Sequence, residues 1–326
     1  MTGTSDYMLA DRTSTDSTAS EEPLISIVTL SYSDNRLADI LDLLASIEAQ
    51  TYPSIELVFV VERSIKIYDL LSKASLKYPK RIYFTERKMS VAEARNAATR
   101  IATGDVIAYI DDDAELTSGW AEALSSSLAS NPSVIGVTGA IVPNWEVNAD
   151  AAIFPESLYW MIGCTAWRES TMPRFIESAQ SLNTGYRREA FSAHRFKIHQ
   201  FKDEDRASLH SGLQGDDVDF ALRVTSGTKR KLCYDPSMRI MHKVPHSRMR
   251  ITYVSRYAFW QGFTEARYRH RKLAKERYSS AISPLLRTLV HDSLPRKESG
   301  RRQAVLLAAL LSFGLGYLRF LMIPYA

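Results

Sequence analysis

Three consecutive carboxylates, Asp111, Asp112 and Asp113, are followed closely by Glu115. Like charges at this spacing repel one another, so they are tolerated only when they are well solvated or share a cation. They follow an apolar stretch, Val106 to Ile110, whose β-branched and aromatic residues predict a buried strand. Ligands of open α/β sheets bind at the carboxyl ends of the strands. The run fits a metal site that meets a phosphate, although an Asp-rich solvated turn fits the same residues equally well.

A second acidic group, Asp216, Asp217 and Asp219, opens a segment with the apolar pattern of a helix. Carboxylates are favoured at a helix N-terminus by the helix dipole, so this group alone does not require a functional role. His242 follows a short predicted strand, Arg239 to Met241. A histidine at such a position is compatible with a structural role and with a functional one.

The elements that would position these residues alternate between strand and helix. Near-continuous apolar runs predict strands, and apolar residues at helical spacing predict helices. The predicted strands are Ile25 to Leu30, Leu57 to Val61, Arg81 to Phe84 and Val134 to Val142, and the predicted helices are Leu37 to Ile47, Ile67 to Tyr78, Ser90 to Ala102 and Trp120 to Leu128. Ser90 and Glu93 have capping-box spacing, and Gly104 is placed to cap the C-terminus of the same helix. This order predicts a doubly wound α/β sheet.

The charge of the chain is distributed unevenly. With 45% hydrophobic and 24% charged residues, the 326-residue chain has the composition of a soluble globular protein. Its formal net charge is +4, but from Lys229 to the end there are 20 Lys and Arg against 5 Asp and Glu. The C-terminal third therefore predicts an anionic partner, either a membrane surface or a phosphate-bearing substrate. No helix-turn-helix, finger or RNP-like pattern accompanies the charge, so we do not predict nucleic-acid binding.

The two ends of the chain differ from the middle. Residues 1–22 are rich in Ser, Thr and acid and contain no apolar core of a signal peptide, which predicts a disordered tail. Ala304 to Leu318 is an uncharged apolar run preceded by Arg301 and Arg302. It is shorter than the roughly 20 residues that a spanning helix needs, but counting through Arg319 reaches that length. We expect a membrane-associating segment at about 304–323 on the cytoplasmic face of the cell membrane, with a soluble core helix as the alternative.

The order of motifs resembles that of inverting glycosyltransferases of family 2, which have the GT-A fold, from about Leu24 to His246. The matching stretches are I-S-I-V-T-L-S-Y-S-D-N-R, V-F-V-V-E, A-E-A-R-N-A-A, A-Y-I-D-D-D-A-E-L, N-T-G-Y-R-R-E-A-F, G-D-D-V-D-F-A-L-R and the later His242. A narrower similarity, carried by W-E-V, F-P-E-S-L-Y-W-M-I-G-C and Y-A-F-W-Q-G-F, is to archaeal glycosyltransferases that extend sugars on dolichyl phosphate, including glucuronosyl-transferring ones.

The resemblance implies an α/β, Rossmann-like GT-A domain with a mostly parallel central sheet at residues 23–250. Residues 251–326 would then form a basic C-terminal helical region. The implied reaction moves one sugar from a nucleotide sugar, expected to be UDP-linked, to a lipid-linked polyprenyl or dolichyl phosphate acceptor. The alternatives are a soluble or cell-surface polysaccharide acceptor, and a non-catalytic or nucleic-acid-binding module.

The resemblance also assigns the donor side. Tyr32 and Glu62 would contact the base and ribose, although most relatives have Asp where this chain has Glu62. Arg95 would lie near the nucleotide or its diphosphate. In the acidic run, Asp111 and Asp113 would form the D-x-D motif that holds Mg²⁺ or Mn²⁺. Because all three positions are Asp, the register stays open, and Asp112 could contact the base instead.

The acceptor side is assigned in the same way. Asp217 would be the catalytic base, in a G-D-D where the family usually has G-E-D, and Asp216 is the alternative base. His242 matches a histidine near the metal and the diphosphate. The remaining residues assigned to the sugar or acceptor are Asn183, Arg187 and Arg188, of which the arginines could contact phosphate, and Trp260. The Q-x-x-R-W signature of processive relatives is absent at Trp260, which predicts the transfer of a single sugar.

Overall fold

The computed structural model describes residues 22–165, 172–176, 179, 181–197, 216–270 and 299–322. Almost all of the predicted tail at 1–22, part of the loop before the second acidic group and the apolar stretch 282–294 lie outside the described residues.

The first part of the chain forms the parallel half of one sheet. The strands are β1 (Ile25–Ser31), β2 (Ile55–Glu62), β3 (Lys80–Thr85) and β4 (Val106–Ile110), and the helices between them are α1 (Leu37–Glu48), α2 (Ile65–Lys73) and α3 (Val91–Ile101). β1 pairs in parallel with both β2 and β4, and β3 pairs with β2. The alternation predicted from the sequence is confirmed here, and the predicted bounds of β4 are those observed.

The sheet is covered on both faces, which explains the near-continuous apolar strands. Successive residues of β4 belong to different core clusters, with Ala108 and Ile110 on one side and Ile107 and Tyr109 on the other. All five residues of β4 are buried. The strand that leads into the acidic run is therefore held rigidly, and its carboxyl end is fixed in position.

The second part of the chain adds a mixed half to the sheet. Its elements are β5 (Ala114–Leu116), α4 (Trp120–Ala129), β6 (Val134–Trp145), α5 (Asp150–Ile153), β7 (Arg174–Ile176), β8 (Asn183–Arg187), α6 (Asp216–Thr228) and β9 (Lys231–Val244). The strand order is β3-β2-β1-β4-β8-β6-β9-β5, and β7 pairs with β9. β8 is antiparallel to both β4 and β6, whereas β6 and β9 are parallel. The α/β class predicted from the sequence is confirmed, with a sheet that is mixed beyond β4.

Two strands were not predicted in full. Asn183–Arg187 forms β8, because its backbone pairs with β4, and it leads into a short 3-10 helix at Arg188–Phe191. β9 is far longer than the predicted Arg239 to Met241. Its register with β6 shifts between Gly139 and Ala140, and this irregularity accommodates Pro236 within the strand.

The ends of α3 show one prediction confirmed and one wrong. The capping box is present, since Ser90 Oγ accepts from the backbone N–H of Glu93 (3.2 Å) and the Glu93 carboxylate accepts from the N–H of Ser90 (2.8 Å). Gly104 is not the C-terminal cap, because α3 ends at Ile101 and Ala102 takes that position. Gly104 is instead needed for close approach, since a Cβ there would lie 2.5 Å from the carbonyl oxygen of Leu24.

Two long helices, α7 (Ile251–His270) and α8 (Ser299–Leu321), complete the described chain. Val254 and Ala258 of α7 share a core cluster with Leu306 and Ala309 of α8 and with residues of the sheet. Within the described residues, Gly300–Leu321 is a helix long and apolar enough to cross a membrane by length and composition. The apolar segment expected at about 304–323 is therefore helical throughout its described part.

Candidate active site

The acidic run leaves the carboxyl end of β4, beside the ends of β1 and β9. Asp111 is exposed to solvent, whereas Asp112 and Asp113 are buried. Although its side chain reaches solvent, the protein atoms packed around the Asp111 carboxylate displace water and raise its pKa above the usual carboxyl range, and the charge of Asp113 acts in the same direction. An accessible carboxylate with a raised pKa is one that would gain from a nearby cation.

Asp112 faces the end of β1. Its carboxylate accepts a hydrogen bond from Ser31 Oγ at 2.5 Å, and Arg36 Nε lies 3.7 Å away. Burial raises the pKa of Asp112 to about 7, although the hydrogen bond from Ser31 opposes this shift. The residue thus ties the acidic run to the first strand.

Asp113 is the carboxylate with the most cationic surroundings. Arg36 Nη2 lies 2.9 Å from its Oδ2, His242 Nε2 lies 3.4 Å from its Oδ1, and Arg248 Nη2 lies 3.9 Å away. Burial opposes ionisation, but the hydrogen bond from His242 and the charges of Arg36 and Arg248 together lower the pKa of Asp113 to about 2. Asp113 is therefore ionised at neutral pH.

His242 is held between Asp113 and a thiol. It lies opposite Ala114 in the antiparallel pair of β5 and β9, and its Nδ1 is 3.7 Å from Cys164 Sγ. Burial raises the pKa of Cys164 to about 12, so the residue is a neutral thiol that can donate S–H to Nδ1. In that arrangement the Nε2–H of His242 is directed at Asp113. Cys164 acts as a positioning residue for His242.

The second acidic group stands at the N-terminus of α6. Asp216 Oδ2 accepts from Arg95 Nη1 at 2.6 Å, and the Arg95 guanidinium lies over the ring of Phe196, 5.3 Å from its centroid. Asp217 accepts from the backbone N–H groups of Ser181 (3.2 Å) and Val218 (2.8 Å). Burial raises the pKa of Asp217, and the charge of Arg95 opposes that shift. The neighbouring carboxylates of Asp216 and Asp217 thus have different hydrogen-bond partners.

Arg95 connects the two acidic groups. Burial disfavours its charge, but the charges of Asp216, Asp217 and Asp111 outweigh this and raise its pKa. Since such interactions fall off with distance, the three carboxylates lie near one buried guanidinium, and Asp216 pairs with it directly. The structure therefore brings the acidic run, Arg95 and the N-terminus of α6 into one site, although the two acidic groups are about a hundred residues apart in sequence.

Tyr32 and Glu62 lie at the ends of β1 and β2, on the same edge of the sheet as Asp111. Tyr32 is 71% exposed, so its ring is open to a ligand. Glu62 accepts from the backbone N–H of Met89 at 2.9 Å. Glu62 therefore orders the segment between β3 and α3 and is at the same time close to the edge at which ligands bind.

Three predicted residues do not face this site. Asn183 is fully buried and accepts from Trp120 Nε1 (2.8 Å) while donating to the carbonyl oxygens of Ala140 and Met238. Arg187 pairs with Val106, at the opposite end of β4 from Asp111. The side chains of Arg187 and Arg188 donate to carbonyl oxygens at that end, on Leu128, Val134 and Gly104. The antiparallel direction of β8 carries both arginines away from the acidic run.

Trp260 lies in the helical pair. It packs edge-to-face against Phe259 (5.3 Å) and Phe263 (5.7 Å), both on α7. Another aromatic pair, Trp160 and Tyr257, has ring centroids 6.0 Å apart, and burial, Tyr253 and the charge of Asp217 raise the pKa of Tyr257.

Sequence reasoning missed Arg36, Arg248, Cys164 and Tyr257. Arg36 belongs to the loop after β1, in the motif S-Y-S-D-N-R. A cation shortly after a strand end could therefore have been predicted to face the acidic run. Arg248 follows His242 by six residues in a basic stretch. Cys164 ends the stretch F-P-E-S-L-Y-W-M-I-G-C, but nothing local in the sequence indicates its contact with His242, because that partner is contributed by a distant strand.

The metal-binding capacity of the site is limited. In the part of the chain that the structure describes, no group of three or more His, Cys, Asp or Glu side chains is arranged to hold a metal ion. Asp111 and Asp113 provide two carboxylates, and Mg²⁺ is commonly held by one or two carboxylates together with substrate phosphates. The residues fit a cation that is completed by a bound diphosphate.

The fold and this acidic site define a class, the glycosyltransferases of GT-A fold. The family is also shown, because the sequence model of glycosyl transferase family 2 matches residues 26–195, more than half of the chain. The protein belongs to that family and is a glycosyltransferase. A curated relative, the glucosyl-dolichyl phosphate glucuronosyltransferase of Haloferax volcanii, is 25% identical over 242 residues, covering 74% of this chain and 76% of the relative.

Solved structures share the fold. The mannosyltransferase PcManGT from Pyrobaculum calidifontis, in complex with GDP-Man and Mn²⁺, matches with a TM-score of 0.58 at 17% identity, covering 91% of this chain and 87% of that chain. GalNAc-T7 with UDP, GalNAc and Mn²⁺ matches with a TM-score of 0.51 at 13% identity, covering 82% of this chain and 55% of that chain. The GT-A fold expected from the sequence is confirmed.

Proposed function

We propose that this glycosyltransferase is metal-dependent and inverting, and that it moves one sugar from a UDP-linked donor to a lipid-linked acceptor, a polyprenyl or dolichyl phosphate carrying a glycan. One observation supports this most strongly. A single buried arginine, Arg95, lies among Asp111 of the acidic run and Asp216 and Asp217 of α6. A donor-binding edge and a proton-accepting carboxylate thus border the same space.

The donor would bind at the edge formed by β1, β2 and β4. Tyr32 offers an exposed ring for the nucleotide base, Glu62 lies where the ribose is expected, and Asp112 is the alternative base contact. Asp111 and Asp113 would hold Mg²⁺ or Mn²⁺, which supplies Lewis-acid stabilisation of the charge on the departing diphosphate. Arg36, Arg248 and His242 already surround Asp113, and their N–H groups are suited to the same phosphate oxygens.

Asp217 would accept the proton of the acceptor hydroxyl. A general base works best when its pKa approaches the working pH, and burial raises the pKa of Asp217 in that direction. Asp216 is engaged by Arg95, so it is not free to act as a nucleophile. With one available carboxylate, the reaction is a single displacement and the anomeric configuration inverts, by the geometric logic that applies to inverting glycosidases.

Two observations support a lipid-linked acceptor. The curated relative is by name a glucosyl-dolichyl phosphate glucuronosyltransferase. In this chain, the surplus of Lys and Arg after residue 229 suits an anionic lipid phosphate or membrane surface. The cytoplasmic face of the cell membrane, expected from the sequence, stays a prediction.

A donor screen tests the proposal. Purified full-length protein is incubated with a panel of UDP- and GDP-sugars, with Mn²⁺, Mg²⁺ or EDTA, and with a short-chain glycosylated polyprenyl phosphate or a soluble glycan as acceptor. We expect nucleotide release from a UDP-sugar that requires the metal and the lipid-linked acceptor. Release only from GDP-sugars would overturn the UDP assignment, and equal turnover with the soluble glycan would overturn the acceptor. Inversion is read from the anomeric proton coupling in the product by NMR.

A further inference from the structure

The outer face of α8 exposes a row of large apolar side chains. Leu307, Leu311, Leu315, Leu318 and Met322 are three or four residues apart, so they lie along one face of the helix. They are 51%, 68%, 61%, 54% and 67% exposed. A contiguous exposed apolar surface marks a site that meets another apolar phase or partner. We call these five residues the leucine stripe.

The opposite face of α8 is already occupied. It buries Val305, Leu306, Ala309 and Phe313, each at most 4% exposed, in the core cluster that also contains Val254 and Ala258 of α7. α8 therefore has two apolar faces with different roles, one packed within the protein and one open. The helix cannot turn its buried face to a membrane without losing this packing.

Glycines hold α7 and α8 in backbone contact. A Cβ at Gly262 would lie 2.0 Å from the carbonyl oxygen of Phe313, and a Cβ at Gly316 would lie 1.8 Å from that of Phe259. No side chain fits at either position, so the two helix backbones touch directly. The pairing of 262 with 313 and of 259 with 316 is antiparallel. The two helices therefore form one unit, so α7 must keep its position relative to α8 at a membrane.

This packing argues against α8 crossing a bilayer, although its length would allow it. α7 carries Arg256 and Glu265. If α8 spanned the membrane, these ionisable residues would be carried into the hydrocarbon region, where charges are costly and rare. A helix that lies along the surface avoids this cost, because α7 then stays on the aqueous side.

We propose that α8 is a monotopic membrane anchor that lies in the plane of one leaflet, with the leucine stripe among the acyl chains and α7 between the bilayer and the catalytic domain. Arg301 and Arg319 are exposed near the two ends of the stripe, at positions suited to anionic lipid headgroups. The stripe is continuous along the helix, as an interfacial helix requires.

The anchor would hold the acceptor side of the site close to the membrane, and this role rests on the proposed function. α7 lies next to the acceptor side of the site, since Tyr253 donates to the carbonyl oxygen of Met161 (3.3 Å) and the ring of Tyr257 packs against Trp160 at 6.0 Å. The charge of Asp217 also reaches Tyr257. A lipid-linked acceptor could keep its tail in the leaflet while its sugar extends past α7 to Asp217.

Vesicle flotation with the full-length chain tests the stripe. Vesicles of phosphatidylcholine with phosphatidylglycerol are compared with phosphatidylcholine alone for the wild type and for Leu311→Glu/Leu315→Glu. We expect the wild type to float with the anionic vesicles and the double variant to bind at least tenfold less. Leu41→Glu is the matched control, since Leu41 is a 51% exposed leucine on α1, and it should float like the wild type. Unchanged flotation of the double variant would overturn the proposal, as would a change in oligomeric state by light scattering without an effect on vesicles.

Cysteine labelling tests the in-plane orientation. Gly300→Cys and Arg319→Cys are labelled separately with a membrane-impermeant maleimide on vesicle-bound protein, and the native Cys164 and Cys233 are buried. Labelling of both ends from outside is the expected result, whereas protection of one end would show that α8 spans. Binding of UDP or GDP by the double variant separates the two proposals. Wild-type nucleotide affinity with lost flotation supports the anchor, and absence of nucleotide binding in the wild type would count against the proposed function alone.

Discussion

Asp216 and Asp217 are adjacent in sequence but have different surroundings, and this difference supports the roles that we propose for them. The carboxylate of Asp216 pairs with Arg95, whereas that of Asp217 accepts only two backbone N–H groups among the hydrogen bonds described. A carboxylate without a cation at hydrogen-bond distance, and with a raised pKa, is the better proton acceptor. Sequence alone left both open as the base, because spacing at a helix N-terminus does not reveal which residue meets Arg95.

The pair formed by Cys164 and His242 yields a prediction at the residue scale. Removing the thiol in Cys164→Ala frees the His242 ring from the orientation that directs Nε2–H at Asp113, so we expect Mn²⁺ affinity, measured with bound nucleotide by calorimetry, to fall by about tenfold. Cys164→Ser retains a donor for Nδ1 and should restore most of the affinity.

Cys233→Ala is the control, since Cys233 is also buried but lies on β9 away from the acidic run. A loss of metal affinity in Cys164→Ser equal to that in Cys164→Ala would mean that a donor to Nδ1 is not what holds His242 in place. An effect of the same size in Cys233→Ala would contradict the specific role of Cys164.

Residues of the candidate site were predictable where a motif marks them, as for Asp111 after β4 and His242 within β9. They were not predictable where partners come from separate elements, as for Arg36 with Asp113. For Arg187 and Arg188, a motif was present but the structure places the side chains away from the candidate site. Their motif suggested phosphate contacts, but the direction of β8 decides which edge of the sheet they reach.

At the scale of elements, Glu56 of β2 fastens the end of the sheet opposite the site. Its carboxylate accepts from Ser26 Oγ (2.6 Å), Thr103 Oγ1 (2.7 Å) and Arg81 Nε (3.2 Å). Burial opposes ionisation, but these hydrogen bonds outweigh it and lower the pKa of Glu56 below its usual 4.5. The network joins β1 and β2 to the turn that leads into β4, and so it fixes the strand that carries Asp111.

The lowered pKa predicts how stability depends on pH. Because the folded state favours the ionised carboxylate, the contribution of Glu56 is fully present above 4.5 and is lost as the pH falls through its folded pKa. We expect Glu56→Gln to lower the free energy of unfolding by about 2 kcal/mol at neutral pH and by less at about pH 3. Urea unfolding at both pH values measures this. Glu86→Gln, at an exposed position, should change nothing, and a pH-independent loss in Glu56→Gln would contradict the ionised network.

Whether an element could be predicted depends on whether local sequence or pairing with distant strands determines it. β4 and the capping box of α3 were predicted because local sequence determines them. β8 and the full length of β9 were not, because hydrogen bonds to distant strands override their local preferences. The glycine at 104 was assigned to a cap from its position, whereas close contact with Leu24 is its actual constraint.

At the scale of the whole molecule, α8 is part of the folded core as well as a surface element. Phe313 is 4% exposed and packs against α7, whereas Leu311 is 68% exposed on the same helix. We expect Phe313→Ala to lower the free energy of unfolding by about 3–4 kcal/mol, because it leaves a cavity. Leu311→Ala should change it by less than about 0.5 kcal/mol, as is usual for surface sites. Equal effects in chemical denaturation would mean that α8 is a detachable appendage.

The α/β class and the family could be read from the sequence because ordered motifs extend along most of the catalytic domain. The close packing of α7 against α8 could not, since that contact depends on Gly262 and Gly316, which look unremarkable in sequence. The charge surplus of the C-terminal third indicated an anionic partner but could not distinguish a spanning helix from one that lies along a surface.

We propose that Asp217 accepts the proton of the acceptor hydroxyl while the acidic run holds the donor. The most direct test is the turnover of Asp217→Asn at saturating donor, acceptor and Mn²⁺, with donor affinity measured in parallel and Asp216→Asn alongside. We predict that Asp217→Asn loses about 10³-fold in kcat with its donor Kd within about twofold of the wild type. Asp216→Asn should keep a larger share of the turnover. Wild-type turnover in a folded Asp217→Asn variant would contradict the account.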